Sequence, residues 1–307
     1  MAWFRRIFLF ILVNVAVMFT ITLLISVLGL WPRLSAQGID YPSLMGFCLI
    51  WGMGGSFISL LLSKVMVKWT MGVQVIDPEN PGSPEAQWLV DTVHRLAKNA
   101  GLTHMPEVGI YQSPDPNAFA TGPGKDSSLV SVSTGLFSAM GKDEIEGVLG
   151  HELTHVNNGD MVTMTLVQGV VNSFAMFLAY VATFFLTRSR DGERSNNFFL
   201  QYMLRQVLEI VLCLFGAILV TMPFSRWREF RADAGGAKLA GKNKMINALK
   251  ALQRVCERPA PAVQEPASMN AFKISSRDGG FMALLASHPP LEKRIAALET
   301  GSTVVGD

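Results

Sequence analysis

The stretch EIEGVLGHELTHVNNGDMVTMTLVQGVVNSFAMFLAYVATFFL, residues 144–186, joins two kinds of pattern without a linker. Its first half places apolar residues at helical spacing among polar ones, with two histidines four residues apart at its centre. Its second half, residues 161–186, contains no charged residue. About 20 mainly apolar residues suffice for a helix to span a bilayer. The stretch therefore predicts a histidine-bearing helix that runs directly into a membrane span.

Three further segments have the length and apolar character of membrane spans: residues 7–30, 44–67 and 198–222. Arg5 and Arg6 precede the first segment, as they would in a secretory signal. Its apolar core is longer than the about 7–15 residues of a signal core, and no good cleavage site follows it directly. We therefore favour a retained transmembrane helix, with a cleaved signal as the alternative.

The composition supports a membrane protein. Half of the 307 residues are hydrophobic and only 16% are charged, whereas soluble domains carry about 25% charged residues. The net charge of +2 is scattered along the chain, so no nucleic-acid partner is expected. The three cysteines form no CxxC pair, which argues against a disulfide-stapled secreted protein.

The spans divide the chain into an N-terminal transmembrane hairpin (residues 1–69), a polar block (70–160), a second hairpin (161–223) and a second polar block (224–307). An even number of spans separates the two polar blocks, so they lie on one side of the membrane and are large enough together to bury one core. The predicted fold is mainly α, with four transmembrane helices and a small α+β domain that the second hairpin splits.

Within the polar blocks, Ser83-Pro84-Glu85 is a typical helix start, and the helix should run to about Ala100. Residues 107–111 and 129–133 have the pattern of short strands. The next helix opens with Lys142-Asp143-Glu144 and buries an apolar face that recurs at helical spacing.

This helix carries His151-Glu152-Leu153-Thr154-His155. Two histidines four residues apart lie on one helix face and can bind one metal ion, while the glutamate can take a proton from water. Zinc lowers the pKa of bound water to about 7, which permits hydrolysis of an amide at neutral pH. The alternative is a pair of surface histidines, but Gly147 and Gly150 favour a site where another element approaches the helix backbone closely.

A third metal ligand is expected in Glu229-Phe230-Arg231-Ala232-Asp233. Catalytic zinc usually has three protein ligands, and Asn158 and Met161 exclude the pattern that would supply a third histidine. Glu229 and His155 each lie about six residues from a span, so both would stand about 9 Å above the hydrocarbon. Glu229 would then bind the metal and Asp233 would hold a ligand histidine. The alternative is that both acids only balance neighbouring arginines.

Three features of the spans remain open between alternatives. Gln168 and Asn172 could form interhelix hydrogen bonds or contact a substrate. Asn157-Asn158-Gly159-Asp160 could kink the helix or end it. The excess of lysine and arginine at the ends of the spans next to the polar blocks predicts that these blocks face the cytoplasm.

Together these motifs resemble those of the HtpX-type membrane metalloproteases and, more distantly, the CAAX prenyl endopeptidases of the same clan. The matching motifs lie at residues 117–122, 150–155, 158–161, 228–234 and 287–291, and they read NAFATG, GHELTH, NGDM, REFRADA and SHPPL. The resemblance covers essentially the whole chain, including the order of the hairpins.

The resemblance implies a gluzincin-like zincin domain that holds one zinc ion through His151, His155 and Glu229, with Glu152 as general base and later acid. It implies an endopeptidase of stress-linked quality control in the bacterial inner membrane, with the catalytic domain and both termini cytoplasmic. Damaged or misassembled membrane proteins would be its substrates, the lipid bilayer its surroundings, and other membrane quality-control proteases candidate partners.

Two further site assignments draw on both the residues and the resemblance. His288, one of five histidines, is the best donor to the oxyanion that develops during amide hydrolysis, although it could simply precede the last helix. Asn117, Ala118 and Phe119 belong to residues 117–121, which would form an edge strand that pairs with the substrate backbone. The alternative there is an irregular loop.

Two other functions compete with this interpretation. An intramembrane protease should carry its metal motif inside an apolar span, but Glu144, Glu146, Asn157 and Asp160 flank this one. A non-catalytic assembly factor with a structural zinc would have a closed metal site and no need for Glu152.

Overall fold

The computed structural model describes residues 40–187, 198–257 and 288–301, so the predicted first span at residues 7–30 lies outside the described part. In chain order the elements are α1 (Tyr41–Thr70), β1 (Gln74–Val75), α2 (Pro84–Asn99), β2 (Glu107–Tyr111), β3 (Ala118–Gly124), β4 (Ser127–Ser133), α3 (Thr134–Ala139), α4 (Lys142–Asn158), α5 (Asp160–Leu186), α6 (Phe198–Gly216), a π-helical turn (Ala217–Thr221), α7 (Met222–Ala240), α8 (Lys242–Glu257) and α9 (Leu291–Thr300).

The chain forms two compact units. Of the described residues, the helical unit comprises 40–58, 163–187 and 198–221, and the mixed unit comprises 59–162, 222–257 and 288–301.

Three described helices are long and apolar enough to cross a membrane: Pro42–Thr70, Asp160–Leu186 and Phe198–Ala240. They coincide with the predicted second, third and fourth spans, which are therefore confirmed as long apolar helices. Large apolar side chains cover their outer surfaces, with Ile50 75% exposed and Leu219 71% exposed. Such exposure is expected where lipid, rather than water, surrounds a helix.

Small residues and amides hold the helical unit together. A Cβ atom added at Gly169 would lie 2.5 Å from the Met53 sulfur, so α5 and α1 approach each other closely at this glycine. The Gln168 amide donates to Asn172 Oδ1 at 2.8 Å, and the Asn172 amide lies 3.5 Å from Ser56 Oγ on α1. These contacts favour interhelix hydrogen bonding over a substrate role for the two polar residues.

The mixed unit contains a four-stranded sheet with the order β1-β2-β4-β3. Strands β2 and β4 are parallel, while β1 and β3 pair antiparallel with their neighbours. The predicted strands at 107–111 and 129–133 are confirmed. Residues 118–124 form β3 at one edge of the sheet, so the irregular-loop alternative is wrong.

Helix α2 begins as predicted. Ser83 lies just before it, and its side chain accepts a hydrogen bond from Ala86 N at 3.1 Å. Gly101 follows the helix with a φ of 77°, a conformation that glycine adopts without strain.

Helix α4 lies at the centre of the mixed unit. Its apolar side chains Val148, Leu149 and Leu153 are at most 2% exposed, and they belong to one core cluster with residues of β4, α8 and α9. His151 and His155 on the same helix are only 2% and 8% exposed. The alternative of a surface histidine pair is therefore wrong.

Candidate metal centre

Three side chains from two distant parts of the chain converge on one point. His151 Nε2 and His155 Nε2 are 3.1 Å apart, and each lies 3.3 Å from an oxygen of Glu229. A tetrahedral zinc ion with bonds of about 2.0–2.2 Å separates its ligand atoms by roughly 3.3–3.5 Å. One ligand atom from each of the three side chains lies within 4.8 Å of the other two, so the cluster could hold a metal ion.

Glycines allow the helices that carry these ligands to approach closely. A Cβ atom added at Gly236 on α7 would lie 2.9 Å from the backbone nitrogen of His151, and one added at Gly150 on α4 would lie 3.1 Å from the Gly236 carbonyl. Real Cβ contacts are almost never shorter than about 3 Å, because atoms there overlap. This packing brings Glu229 on α7 beside the two histidines, and it explains the glycine at 150.

Asp233 and Arg294 support His151 from behind. Asp233 Oδ1 lies 2.9 Å from His151 Nδ1, the ring nitrogen that faces away from the metal position. Arg294 on α9 pairs with the same carboxylate through Nη2 at 2.6 Å and Nε at 2.8 Å. The Arg294 side chain is fully buried. This pair fixes the His151 ring and leaves its Nε2 lone pair for a metal.

Asp160 supports His155 in the same way. Its Oδ2 lies 2.6 Å from His155 Nδ1. Helix α4 ends at Asn158, and Gly159 has a φ of 66°, the left-handed conformation that favours glycine. The helix therefore breaks at Gly159 rather than kinking, and Asp160 starts α5 beside the histidine that precedes it by five residues.

The alternative that Glu229 and Asp233 only balance the charges of neighbouring arginines is supported only in part. Glu229 is fully buried and does lie 3.3 Å from Arg228, but it also contacts both histidines of the centre. Arg231 is stacked over the Trp227 ring at 4.7 Å instead. Glu229 is therefore positioned mainly by the histidines and not by the arginines beside it in sequence.

The pKa values of these groups show a site that attracts positive charge. Burial alone would lower the pKa of His151, but hydrogen bonds to Asp233 and Glu229 outweigh it and raise the pKa to about 9. Burial would raise the pKa of Glu229, but attraction to His288 and His155 holds it well below its usual range. The Glu229 carboxylate thus stays ionised and favours a cation where it meets the two histidines.

Glu152 lies next to the metal ligands and is held by the backbone of the edge strand. The amide N–H of Ala120 on β3 donates to Glu152 Oε2 at 2.9 Å. One carboxylate oxygen is therefore fixed, and Oε1 is left to accept a proton from another group.

The strand geometry shows which of the predicted substrate-binding residues turn their backbone groups toward β4 and which turn them toward the open edge of the sheet. Asn117 O accepts from Ser133 N at 2.9 Å, so the backbone groups of Asn117 and Phe119 face β4. The Asn117 amide donates to the Tyr111 hydroxyl at 2.9 Å, and the Phe119 ring packs 5.6 Å from the Tyr111 ring. By alternation, the backbone groups of Ala118 and Ala120 face the open edge of the sheet.

His288 also joins the centre. Its Nδ1 lies 2.7 Å from Glu229 Oε2, and its side chain is 17% exposed. The structure thus brings His288 against a ligand carboxylate at the rim of the buried cluster.

Three groups of the site were missed by sequence reasoning. Arg294 stands on an amphipathic C-terminal helix, where an arginine is normally on the surface, so no local signal marked it. Asp160 was considered only as part of a helix end, although a carboxylate five residues after a ligand histidine was a usable signal. The Ala120 amide is a backbone group and leaves no trace in the sequence.

Comparison with known proteins identifies the family. Residues 83–302 match the profile of peptidase family M48. A protease HtpX homolog from Methylacidiphilum infernorum is 53% identical over 299 residues, which cover 96% of this chain and 98% of that protein. Protease HtpX of Shewanella oneidensis is 50% identical over 303 residues, covering 96% and 99%.

The fold is also similar to that of a solved structure. The crystal structure of S. mikatae Ste24p matches with a TM-score of 0.55 at 19% identity, covering 94% of this chain and 66% of that one. This likeness shows that the two chains share a fold. The resemblance read from the motifs is confirmed: the chain belongs to peptidase family M48 and is a membrane metallopeptidase.

Proposed function

We propose that the chain is a zinc-dependent endopeptidase in which His151, His155 and Glu229 hold one zinc ion and Glu152 is the general base. The observation that carries this proposal is the convergence of three side chains: the two histidine Nε2 atoms are 3.1 Å apart, and each lies 3.3 Å from one oxygen of the Glu229 carboxylate. Two nitrogens and one carboxylate are the ligand set that catalytic zinc takes in many peptidases, with a fourth position left open.

The other catalytic roles are assigned to residues of the chain itself. A bound zinc ion would polarise the scissile carbonyl and lower the pKa of the attacking water. Glu152 takes the proton of that water at Oε1 while Ala120 holds Oε2, and it later gives the proton to the departing nitrogen. His288 would donate to the oxyanion from the rim of the site, where it already contacts Glu229.

An extended protein segment is the substrate that the open sheet edge fits best. The backbone groups of Ala118 face this edge and would pair with a substrate strand, which requires no particular side chain. Because the Ala120 N–H is used by Glu152, pairing would centre on Ala118 and on the Ala120 carbonyl. Asn117 and Phe119 would shape the strand from the sheet side rather than contact the substrate backbone.

The biological setting extends the same proposal. We infer four spans, with residues 1–69 and 161–223 as hairpins, and a catalytic domain built from residues 70–160 and 224–307. The basic excess near the span ends next to these blocks supports action at the cytoplasmic face of a bacterial inner membrane. Damaged or misassembled membrane proteins would be its substrates, as the resemblance of the motifs implies.

The two competing functions are less well supported. All described ligand side chains lie in the mixed unit, not in the helical unit, which argues against cleavage within the bilayer. A structural zinc site would not need an acid held beside the ligands by a strand edge, as Glu152 is.

Glu152→Gln tests the assignment. The variant should keep its zinc but lose at least about 100-fold in hydrolysis of an unfolded substrate such as casein in detergent, the lower bound of typical general-base contributions. Glu144→Gln, which alters a surface ion pair on the same helix, is the matched control and should remain active. Normal turnover by the zinc-loaded Glu152→Gln protein would refute the role of Glu152.

Glu229→Ala tests the metal site separately. It removes one of three ligands, so zinc content after dialysis should fall sharply, whereas Asp233→Ala should retain more zinc. Full zinc occupancy in Glu229→Ala would show that the acid only balances charge.

The orientation can be tested in whole cells with single cysteines in a background that lacks Cys48, Cys213 and Cys256. A cysteine at position 189 should react with an impermeant reagent from outside, and one at position 302 should not. Both positions lie outside the described residues. The reverse labelling pattern would overturn the proposed topology.

A further inference from the structure

The residues that lie at the far boundary of the hydrocarbon layer can be estimated for each described span of the helical unit. A hydrocarbon layer about 30 Å thick corresponds to about 20 helical residues. Counted from the span ends that lead into the mixed unit, this length reaches Tyr180 on α5 and Tyr202 on α6, and it ends about one helical turn short of Leu44 on α1. The three residues should therefore lie at or near the opposite boundary between hydrocarbon and headgroups.

The structure supports this estimate independently, because all three side chains line one cavity of about 290 Å³. Aromatic residues with a polar tip are typical of the boundary between lipid and water. The cavity is thus placed where lipid headgroups would lie, within the helical unit alone.

Arg205 gives this cavity a positive charge. Its guanidinium carbon lies 4.4 Å from the centre of the Tyr180 ring and 5.4 Å from that of Tyr202. Glu209 is one turn further along the helix, yet the described part of the chain shows no ion pair between the two. A charged side chain in a membrane span is costly and usually marks a functional contact. The two rings fix the guanidinium without neutralising its charge.

Thr183 supplies a second, independent sign of a missing ligand. The residue lines the same cavity and is 8% exposed, and its buried Oγ1 has no hydrogen-bond partner among the described residues. A buried hydroxyl without a partner costs about 1–3 kcal/mol. A ligand with acceptor oxygens would satisfy both this hydroxyl and Arg205.

The remaining wall of the cavity is apolar and includes Leu44, Val181 and Phe184. A ligand that fits must therefore combine an anionic head that has several acceptor oxygens with an apolar body. A phospholipid has this chemistry, and it is present at high concentration at this level of the membrane.

We propose that this cavity binds the phosphodiester group of a membrane phospholipid, with Arg205 as its counter-ion and Thr183 as a hydrogen-bond donor. The acyl chains would lie along the apolar wall. The bound lipid would also hold the C-terminal end of α5 against the N-terminal end of α6, which are the ends of these helices farthest in sequence from the metal ligands. The lipid-binding proposal concerns the helical unit and is independent of the peptidase assignment.

Native mass spectrometry of the full-length protein in detergent tests the proposal. The delipidated protein is titrated with palmitoyl-oleoyl phosphatidylglycerol, and with palmitoyl-oleoyl glycerol, which has the same chains but no phosphate. We expect one retained phosphatidylglycerol per chain and no comparable retention of the neutral lipid. Equal retention of both lipids would overturn the role of the phosphate.

Variants test the residues. Arg205→Gln should weaken phosphatidylglycerol binding about tenfold or more, because it removes a charge-assisted hydrogen bond. Arg205→Lys should retain part of the affinity, and Thr183→Val should weaken it by less than Arg205→Gln does. Each variant's fold is checked by its size-exclusion profile and its thermal unfolding.

Arg231→Gln is the matched control, since this exposed arginine also stacks on an aromatic ring but lines no part of the cavity. It should bind the lipid like the unmodified chain. Unchanged binding in Arg205→Gln, or an equal loss in Arg231→Gln, would show that the lipid associates elsewhere or through general positive charge.

Discussion

The two histidines of the metal centre lie one helical turn apart, yet the chain supports them in opposite ways. His155 is held by Asp160, five residues further along the chain. His151 is held by Asp233 and, through it, by Arg294, which is 143 residues away. One support depends on a local helix break and the other on the packing of three helices.

The orientation of one ligand histidine therefore depends on local chain conformation, and that of the other depends on tertiary packing. The orientation of His155 should persist as long as α4 ends at Gly159, whatever the C-terminal part of the chain does. The orientation of His151 requires α7 and α9 to be packed against α4. Substitutions can therefore weaken one support while leaving the other intact.

The largest effect should come from Arg294→Met, which breaks the remote support. It leaves the Asp233 carboxylate buried and without its bidentate partner, at a cost of about 3–5 kcal/mol in the free energy of unfolding. Thermal or denaturant unfolding of the purified protein measures this loss. Arg254→Met, which removes the exposed ion pair with Glu144, is the control and should cost at most about 1 kcal/mol. Equal, small losses in both would contradict the structural role of Arg294.

Asp160→Ala should break the local support with a smaller effect. Loss of a carboxylate behind a ligand histidine typically lowers metal affinity about 10–100-fold. Competition with a zinc chelator measures this change, and Asp143→Ala, an exposed aspartate on the same helix, is its control. Unlike Asp233→Ala, which also removes the bidentate partner of Arg294, Asp160→Ala should leave the unfolding transition nearly unchanged. A large loss of stability in Asp160→Ala would show that the local support also stabilises the fold.

Gly159→Ala should act through the backbone. A left-handed conformation costs a residue with a Cβ atom about 1–2 kcal/mol, so α4 would tend to continue and draw Asp160 away from His155. We expect reduced stability together with moderately weaker zinc binding. Gly124→Ala, where an added Cβ meets nothing within 4 Å, is the control. Zinc binding that is unaffected by Gly159→Ala would mean that the break does not position Asp160.

The smallest effect concerns Glu146, which lies on α4 outside the metal centre. Burial would raise its pKa, but hydrogen bonds from Lys244 and Arg95, both at 2.9 Å, lower it. Its folded pKa lies below its ordinary value of 4.5, so its contribution to stability is present above pH 4.5 and is lost as the pH falls through the folded pKa. Glu146→Gln should cost about 0.5–1 kcal/mol at pH 7, because the partners are partly exposed.

This cost should shrink on acidification below pH 4.5, whereas the effect of Arg294→Met on the remote support should not follow the same profile. Unfolding measured from about pH 2.5 to pH 7 compares the two, because this range includes the interval in which the Glu146 contribution is lost. A constant cost of Glu146→Gln over this range would contradict the ion-pair explanation.

Features with a local signature could be predicted from the sequence. Three described spans, the start of α2 at Ser83 and the strands at 107–111 and 129–133 follow from apolar length, capping residues and alternation. The pairing of Glu229 with the two histidines was anticipated because both motifs lie at similar distances from a span. The glycines at 147 and 150 indicated a close helix contact, which α8 and α7 provide.

Features without a local signature could not be predicted. The burial of Arg294 depends on α9 packing against α7 and α8, and nothing in its neighbourhood distinguishes it from a surface arginine. The Asn117 side chain, directly before β3, points toward Tyr111 because the strand register sets the face on which each side chain lies. The unpartnered Thr183 hydroxyl is likewise visible only once the helices are assembled.

The hydrogen bond from Ala120 N–H to Glu152 has a consequence for evolutionary tolerance. Because the donor is a main-chain group, nineteen of the twenty amino acids at position 120 can keep the carboxylate aligned, and only proline lacks the N–H. The Ala120 side chain packs against the core cluster of the mixed unit, so its volume and not its hydrogen-bonding groups limits which residues are tolerated. A position that aligns the catalytic acid is thus constrained in the same way as an ordinary core position.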